Sequence, residues 1–557
     1  MAEENKSSIG IDLGTTYSSV AYFDVVKGEP VILQDELGKE QVASWVSLSQ
    51  LDKSGNVVVG NAARNNTQQT CVIYDSKRII GRNECDVNYE HCDNYPFEVK
   101  CRDNGSVCIE CYNPKTQDVE EFEPEEISGM ILKYIYDIVK RRIGNNTISN
   151  VVVTVPVDFN DTQRNATLLA CQLAGVENVE LANEPTAAIV AYKREYPNSL
   201  KEGNRVLVID FGGGTLDVAC CKIINDNYIK VESSGGDQNL GGNDFDKVMI
   251  DIIKEKVEES VKGYYEKKRG MTQKEKIILN KKLIRLKKEA ERIKIELSGK
   301  PDAELDLETL LGEYYEDYED NGIEFIIKRQ EFEEECEKRG LYKRFIDKIK
   351  QVTQRKGYKK GNVQLVLLIG GTCEMPRIRE EVGKSFDIKT FADKNFNPLT
   401  AVVKGAAYLA YSKGMNSICS KFIYDIVPTP IGIEVEGRMF QKLINDGETL
   451  PTKVIKKRYS TTITNQKFAK FNIYKGFSTY VSSDDFITTL RIDGIPEGKN
   501  GRQTIEFTIQ YDQNGMMKLT ASVVGTDVKG DLSVDVDLSK KEEEVEKILK
   551  HFNSFFK

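Results

Sequence analysis

The sequence predicts an α/β domain of duplicated design, followed by an antiparallel β-sandwich and a short terminal helix. Three observations predict it. Ile9-Gly10-Ile11-Asp12-Leu13-Gly14-Thr15-Thr16 runs from apolar residues to an acid, a glycine and hydroxyls, and Val206-Leu207-Val208-Ile209-Asp210-Phe211-Gly212-Gly213-Gly214-Thr215 repeats that plan. From Pro428 onward the hydrophobic period becomes two: Ile505, Phe507, Ile509 and Tyr511 alternate with polar residues, as do Leu532, Val534, Val536 and Leu538. Past Ser539 the period turns helical, with Val545, Ile548, Leu549 and Phe552 on one stripe.

An apolar run ending in glycine reads as a buried strand entering a tight turn. Glycines let backbone N–H groups close around phosphate oxygens, and a nearby carboxylate can hold a cation. A third such corner, Val366-Leu367-Leu368-Ile369-Gly370-Gly371-Thr372, weighs against three ordinary strand ends. The matched corners imply two halves gripping one polyphosphate from opposite sides. Between them, Pro124 opens a helix over 125–143 with Ile127, Ile131, Tyr134, Ile135 and Ile138 on one face. Val151-Val152-Val153-Thr154-Val155, stopped by Pro156, reads as a buried strand.

Leu279, Leu283, Leu286, Ala290, Ile293 and Leu297 make one core-facing stripe on a lysine-rich helix. Glu291, Lys294 and Ser298 lie on a second stripe about 100° away, at the rim of a core where a ligand is within reach. The acidic run 313–320 reads as an exposed loop. Residues 417–424 read as a linker, Asn514-Gly515 as a hairpin turn and Ser539-x-x-Glu542 as a capping box. The boundaries expected are 1–415 for the α/β part, 416–427 for the linker, 428–538 for the sandwich and 539–557 for the helix. That helix either packs on the sandwich or begins something longer.

A net charge of −9 argues against nucleic acid as a partner. No apolar stretch reaches the length of a membrane span, and the start lacks the pattern of a secretory signal, so a cytoplasmic protein is expected. The twelve cysteines are then expected to be reduced. Cys85, Cys92, Cys101, Cys108 and Cys111 crowd together beside His91, and Cys108-x-x-Cys111 has the spacing of half a zinc site. Their irregular intervals favour simple thiols. Only His91 and His551 occur, which nearly excludes a Ser-His-Asp triad or a multi-histidine metal centre. Chemistry falls to carboxylates, lysine, hydroxyls and a bound cation.

Asp12-Leu13-Gly14-Thr15-Thr16-Tyr17-Ser18, Asp75-Ser76-Lys77-Arg78-Ile79-Ile80-Gly81-Arg82 and Asn183-Glu184-Pro185-Thr186-Ala187-Ala188 occur in order. So do Asp210-Phe211-Gly212-Gly213-Gly214-Thr215, Asn239-Leu240-Gly241-Gly242-Asn243-Asp244-Phe245-Asp246 and Gly370-Gly371-Thr372. Together they resemble the DnaK-type heat shock protein 70 chaperones over nearly the whole chain. The resemblance implies an actin-like (ribonuclease H-like) ATPase domain driving a sandwich that holds extended apolar segments of unfolded or nascent polypeptides. It implies ATP or ADP with Mg2+, K+ as a further cation, and J-domain and nucleotide-exchange partners in a stress response.

By the same resemblance, Gly14, Thr15, Thr16 and Tyr17 would meet the nucleotide from one half, and Gly213, Gly214 and Thr215 from the other. Gly241, Gly242, Glu291, Lys294, Ser298, Gly370, Gly371 and Thr372 would complete its site. Asp12 and Asp210 would hold the metal. Lys77 would balance charge at the γ-phosphate and place the attacking water, with Glu184, Asp217 and Thr215 completing the catalytic cage. Pro156 and Arg164 match the family's hinge, and Met439, Thr462, Ala469 and Phe471 fall near its peptide pocket.

Several positions depart from the family. Ile295 and Glu374 stand where two arginines sandwich adenine, and Leu399 replaces an acid, so adenine affinity is expected to fall. Glu180 replaces the arginine that docks J-domains, Lys421-Phe422-Ile423-Tyr424 replaces the leucines of the linker with Ser420 before them, and Asp158 replaces a tyrosine after the hinge proline. The helical lid is nearly absent, so peptide off-rates should be fast. The leading reading is an ATP-driven chaperone. The second is a weakly hydrolysing, lidless regulator that acts with a J-protein at the ribosome. The third, a small-molecule kinase on the duplicated fold, has no use for a sandwich.

Overall fold

The computed structural model describes residues 6–51, 57–66, 71–113, 118–144, 147–225, 228–268, 270–312, 326–388, 391–392, 395–414, 423–498, 502–533 and 542–556. The acidic run 313–320, linker residues 415–422, and 534–541 with the capping serine lie outside the described residues.

Two sheets carry the matched corners. Strand Lys6–Asp12 runs parallel to Thr147–Val155 and antiparallel to Tyr17–Asp24. Strand Arg205–Phe211 runs parallel to Leu365–Ile369 and antiparallel to Leu216–Asn225. The pairing scheme is the same in both, so the repeated motifs reflect a repeated topology. Their β-branched and leucine runs are buried on both faces, as central strands require.

Helices Glu184–Glu195 and Ala401–Gly414 sit between the sheets, and one apolar cluster joins Val152 and Val208 through Ala187, Ala188 and Ala406. The helices approach at Gly405, where a Cβ would fall 1.8 Å from the Ala187 carbonyl oxygen. No other residue fits that crossing without moving a helix. Helix Gln273–Gly299 buries Leu279, Leu283, Leu286, Ala290, Ile293 and Leu297, the stripe read from their spacing.

The β-rich part is a sandwich of two four-stranded sheets. One holds Ile431–Val435, Met439–Ile444, Phe468–Lys475 and Phe486–Asp493; the other holds Ile455–Ser460, Thr504–Tyr511, Met517–Val523 and Lys529–Ser533. Ile505, Phe507 and Ile509 point inward, and Asn514-Gly515 turns the chain with Gly515 at φ +71°. Ile423–Tyr424, at the end of the expected linker, is an ordered strand paired parallel to Tyr228–Asp237.

Two expectations are corrected. Helix Glu542–Asn553 packs against the first half of the α/β part, not against the sandwich. Phe552 is fully buried in that core with Ile548, and its ring would lie 3.1 Å from a Cβ on Gly129 of helix Pro124–Ile143. The Val57 amide donates to the Phe555 carbonyl at 3.3 Å. The absence of a side chain at Gly129 makes room for an aromatic ring there, where it is wholly removed from water.

The second correction concerns the cysteines. Cys71 and Cys111 form a disulfide with Cα atoms 6.0 Å apart, because the chain before Val72–Tyr74 packs on strand Val107–Asn113. The other described cysteines are free thiols. Cys108 and Cys111 share one extended strand, where residues three apart face opposite sides, so their spacing does not make half a zinc site. Among the described residues no group of three or more metal-ligating side chains forms, and no helix is long and apolar enough to cross a membrane.

Candidate functional site

Asp12 closes the first strand of one half, and Asp210 stands one residue from the end of its counterpart. Thr154 on the neighbouring strand donates its hydroxyl to Asp12 Oδ1 at 3.2 Å. Lys77 comes from the single helical turn Ser76–Arg78, which Asp75 enters with a left-handed φ of 59°. Its Nζ donates to Glu184 Oε1 at 2.5 Å, and both side chains are less than a tenth exposed. Glu184 is the first residue of helix Glu184–Glu195. Asp217 is the cross-strand partner of Asp210, and one of its oxygens accepts the Val157 amide at 2.7 Å.

Glu184, Asp210 and Asp217 are buried and Asp12 is half-buried, and only Glu184 meets the Lys77 ammonium directly. Burial first, then the charge of Glu184, pushes Asp12 up to about 7. The same two causes, in that order, raise Asp210 and Asp217 well above the usual carboxylate range. Asp217 Oδ2 and Thr16 Oγ1 are buried without a hydrogen-bond partner.

The glycine corners face each other. A Cβ on Gly213 would fall 1.9 Å from Thr16 Oγ1, and one on Gly214 would fall 2.2 Å from Thr15 Oγ1. On Gly241 it would meet the Gly213 carbonyl oxygen at 2.5 Å. The corners stay bare because the halves approach backbone to side chain. Hydroxyls and amides converge beside carboxylates, a donor set that fits a polyphosphate carrying a divalent cation.

Further along the cleft, Glu291 is buried and paired. It accepts from the Tyr17 hydroxyl at 2.9 Å and from Arg64 at 3.0 Å, strapping one half to the other. Glu291 thus lies deeper than the rim its stripe was expected to occupy, whereas Lys294 and Ser298 are half-buried. Lys294 Nζ bonds the Gly242 carbonyl at 3.2 Å and Asp246 at 2.6 Å, and Ser298 donates to the Lys294 carbonyl at 3.3 Å. Thr372 donates to the Gly212 carbonyl at 2.8 Å; Gly370 has φ +81°, and Gly371 lies next to Leu399. Ile295 and Leu399 are exposed, and Glu374 is engaged by Arg379 at 2.6 Å.

Sequence reasoning missed Arg64 and Arg78. Arg78 bridges the halves to Asp244 at 2.6 Å and to the Gly214 carbonyl at 3.1 Å. Its place beside Lys77 in one motif was a usable signal; nothing local marks Arg64.

Pro156 follows strand Thr147–Val155, and buried Arg164 sits where the two parts of the chain meet. Arg164 donates to Asn183 Oδ1 at 2.9 Å and to the Asn514 carbonyl of the sandwich at 3.1 Å. Asp425, just past the linker strand, accepts from Thr186 and from the Asn183 amide. Glu180 pairs with Lys413. In the sandwich, Met439 and Thr462 are exposed, whereas Ala469 and Phe471 are core residues, with Phe471 packed 4.9 Å from Phe507. The four do not share one surface.

A family model described as "Hsp70 protein" matches residues 8–557. The chain belongs to the Hsp70 family. It is 31% identical to a heat shock 70 kDa protein of Neurospora crassa, over 98% of this chain and 81% of that protein. It is 32% identical to heat shock 70 kDa protein 2 of Paracoccidioides lutzii, over 97% and 79%. Members of this family are chaperones and ATPases that use Mg2+ and act with unfolded polypeptides, J-proteins and exchange factors.

Proposed function

We propose that this chain hydrolyses ATP and uses the cycle to control how its sandwich holds extended apolar polypeptides. The observation that carries this reading is the Lys77–Glu184 pair, set among Asp12, Asp210 and Asp217 between two facing glycine corners. Asp12 and Asp210 would hold hydrated Mg2+, which neutralises phosphate charge when bound. Gly14, Thr15, Thr16, Gly213, Gly214 and Thr215 would cradle the phosphates. Lys77, kept in place by Glu184, would offset charge on the transferred phosphoryl group and orient water. Glu184 and Asp217 would accept that water's hydrogen bonds. Single-turnover hydrolysis should fall about a hundredfold or more in Lys77→Ala, the usual loss for a preorganised charge partner, while nucleotide still binds. Equal rates in the two proteins would remove the ATPase from this account.

The hinge contacts of Arg164 and the pairing of Ile423–Tyr424 support transmission from that cage to the sandwich. The α/β part over 1–415 would be the motor and 428–538 the peptide holder, with Met439 and Thr462 at its surface. J-proteins and exchange factors in the cytoplasm would be partners, with no nucleic acid or membrane involved.

Two observations favour the slower, regulatory variant of this reading. The base end presents Ile295, Leu399 and a Glu374 engaged by Arg379, where the family resemblance implies two stacking arginines. Glu180, negative and already paired with Lys413, offers nothing to a J-domain that seeks an arginine.

A further inference from the structure

We infer that Asp158 is a positioning residue that links the docked sandwich to the catalytic cage, with Lys475 as its counterpart across the seam; the inference rests on the ATPase reading above. Val157 and Asp158 grip two adjacent strands, the one that carries Asp217 and the one that carries Gly236. Val157 gives its amide to Asp217 Oδ1 at 2.7 Å. Asp158 Oδ2 takes the amide of Gly236 at 2.8 Å, and the Asp158 carbonyl accepts from the Gln238 side chain. Gly236 is the cross-strand partner of Asp217. It lies so close that a Cβ there would fall 2.4 Å from the Leu216 carbonyl and 3.1 Å from Asp217 Oδ1. Asp158 is therefore hydrogen-bonded to the residue paired with Asp217, at a position with no room for a side chain.

The other side of Asp158 faces a cavity of about 500 Å3 between the two parts of the chain. Lys348 lines it from the α/β part, and Lys475, Leu450 and Tyr511 line it from the sandwich. Among the described residues neither lysine has an ion pair of its own, so both fields act on Asp158 across the cavity. Asp86, Asp161, Asp237, Arg82 and Arg164 also line it. Arg355 adds a third cation behind Asp158. It bonds the Ser234 carbonyl at 3.2 Å and the Pro428 carbonyl at 3.4 Å, with its guanidinium 4.6 Å from the centre of the Phe477 ring. Burial raises Asp158, and Lys348, the Gly236 amide, Lys475 and Arg355 pull it back. Part of what keeps this carboxylate charged thus belongs to the sandwich. A charge compensated in part by docking must, by reciprocity, favour docking.

The test uses the full chain as Asp158→Asn, Lys475→Ala, Lys475→Arg and the double variant Asp158→Asn/Lys475→Ala. Small-angle scattering in Mg·ATP reads docking, and single-turnover hydrolysis with and without a saturating apolar peptide reads coupling. Lys475→Ala should enlarge the particle and cut the peptide-induced change in rate about fivefold. Asp158→Asn should do the same, the double variant should be no worse than either, and Lys475→Arg should restore both readouts. Effects that multiply in the double variant, or an unaltered Lys475→Ala, would overturn the link. If the unmodified protein hydrolysed nothing, the ATPase reading would fail, and scattering alone would still decide whether Asp158 and Lys475 act as one unit in docking.

Discussion

Lys77 is useful as a cation only because something holds it, and Glu184 does so with both side chains withdrawn from water. A buried pair of this kind is weak evidence for stability, since desolvation offsets most of the attraction. It is better evidence for a task, because it stations a charge where a reaction needs one. At the base end the logic reverses. Ile295→Arg with Glu374→Arg should tighten ATP binding about tenfold, from two regained stacking contacts of roughly 0.5–1 kcal/mol each. Calorimetry that shows unchanged affinity would mean these side chains do not flank the base. His551 supplies a third residue-scale expectation. Its Nδ1 lies 2.7 Å from Glu126 Oε1, and that hydrogen bond raises its pKa above the ordinary 6.5. The contribution is therefore full below about 6.5 and is lost as pH rises through the higher folded value. An NMR titration should show one elevated histidine that returns toward 6.5 in Glu126→Gln.

At the scale of elements, the terminal helix shows how far a sequence pattern reaches. The stripe Val545, Ile548, Leu549 and Phe552 states that one face is buried. It cannot state against what, because the matching surface, Gly129 with Phe122 and Leu173, lies some four hundred residues away. Gly129 gave no signal, since a glycine inside a helix reads only as a weak point. The two glycine corners were legible because an alternation of strand, acid and glycine is local chemistry. The disulfide was not, because Cys71 and Cys111 meet only after two strands pack. The burial of Glu291 was hidden likewise, since its partner Arg64 carries no motif. A twelve-residue helix is marginal alone, so its order depends on the anchor. Phe552→Ala should cost about 3–5 kcal/mol of anchoring, and hydrogen exchange should show residues 542–556 opening while the sandwich stays protected. Unchanged protection would mean the ring is not what holds the helix.

For the whole molecule, duplication is the organising fact. Each half brings a strand, an acid and a bare glycine turn to one midline, and neither half alone surrounds anything. The sandwich joins this machine through a short strand at Ile423–Tyr424 and a seam of polar contacts centred on Arg164, Asp425 and Asn514. Few of these contacts are large or apolar, which is compatible with the proposed cycle. The central claim is that both glycine corners hold one triphosphate together. Calorimetric titration with Mg·ATP tests it most directly, using the unmodified protein and Gly214→Ala, whose added methyl would collide with Thr15. One bound nucleotide per chain, lost in Gly214→Ala while the folded state persists by circular dichroism, is the predicted result. No binding by the unmodified protein, or equal binding by both, would contradict it.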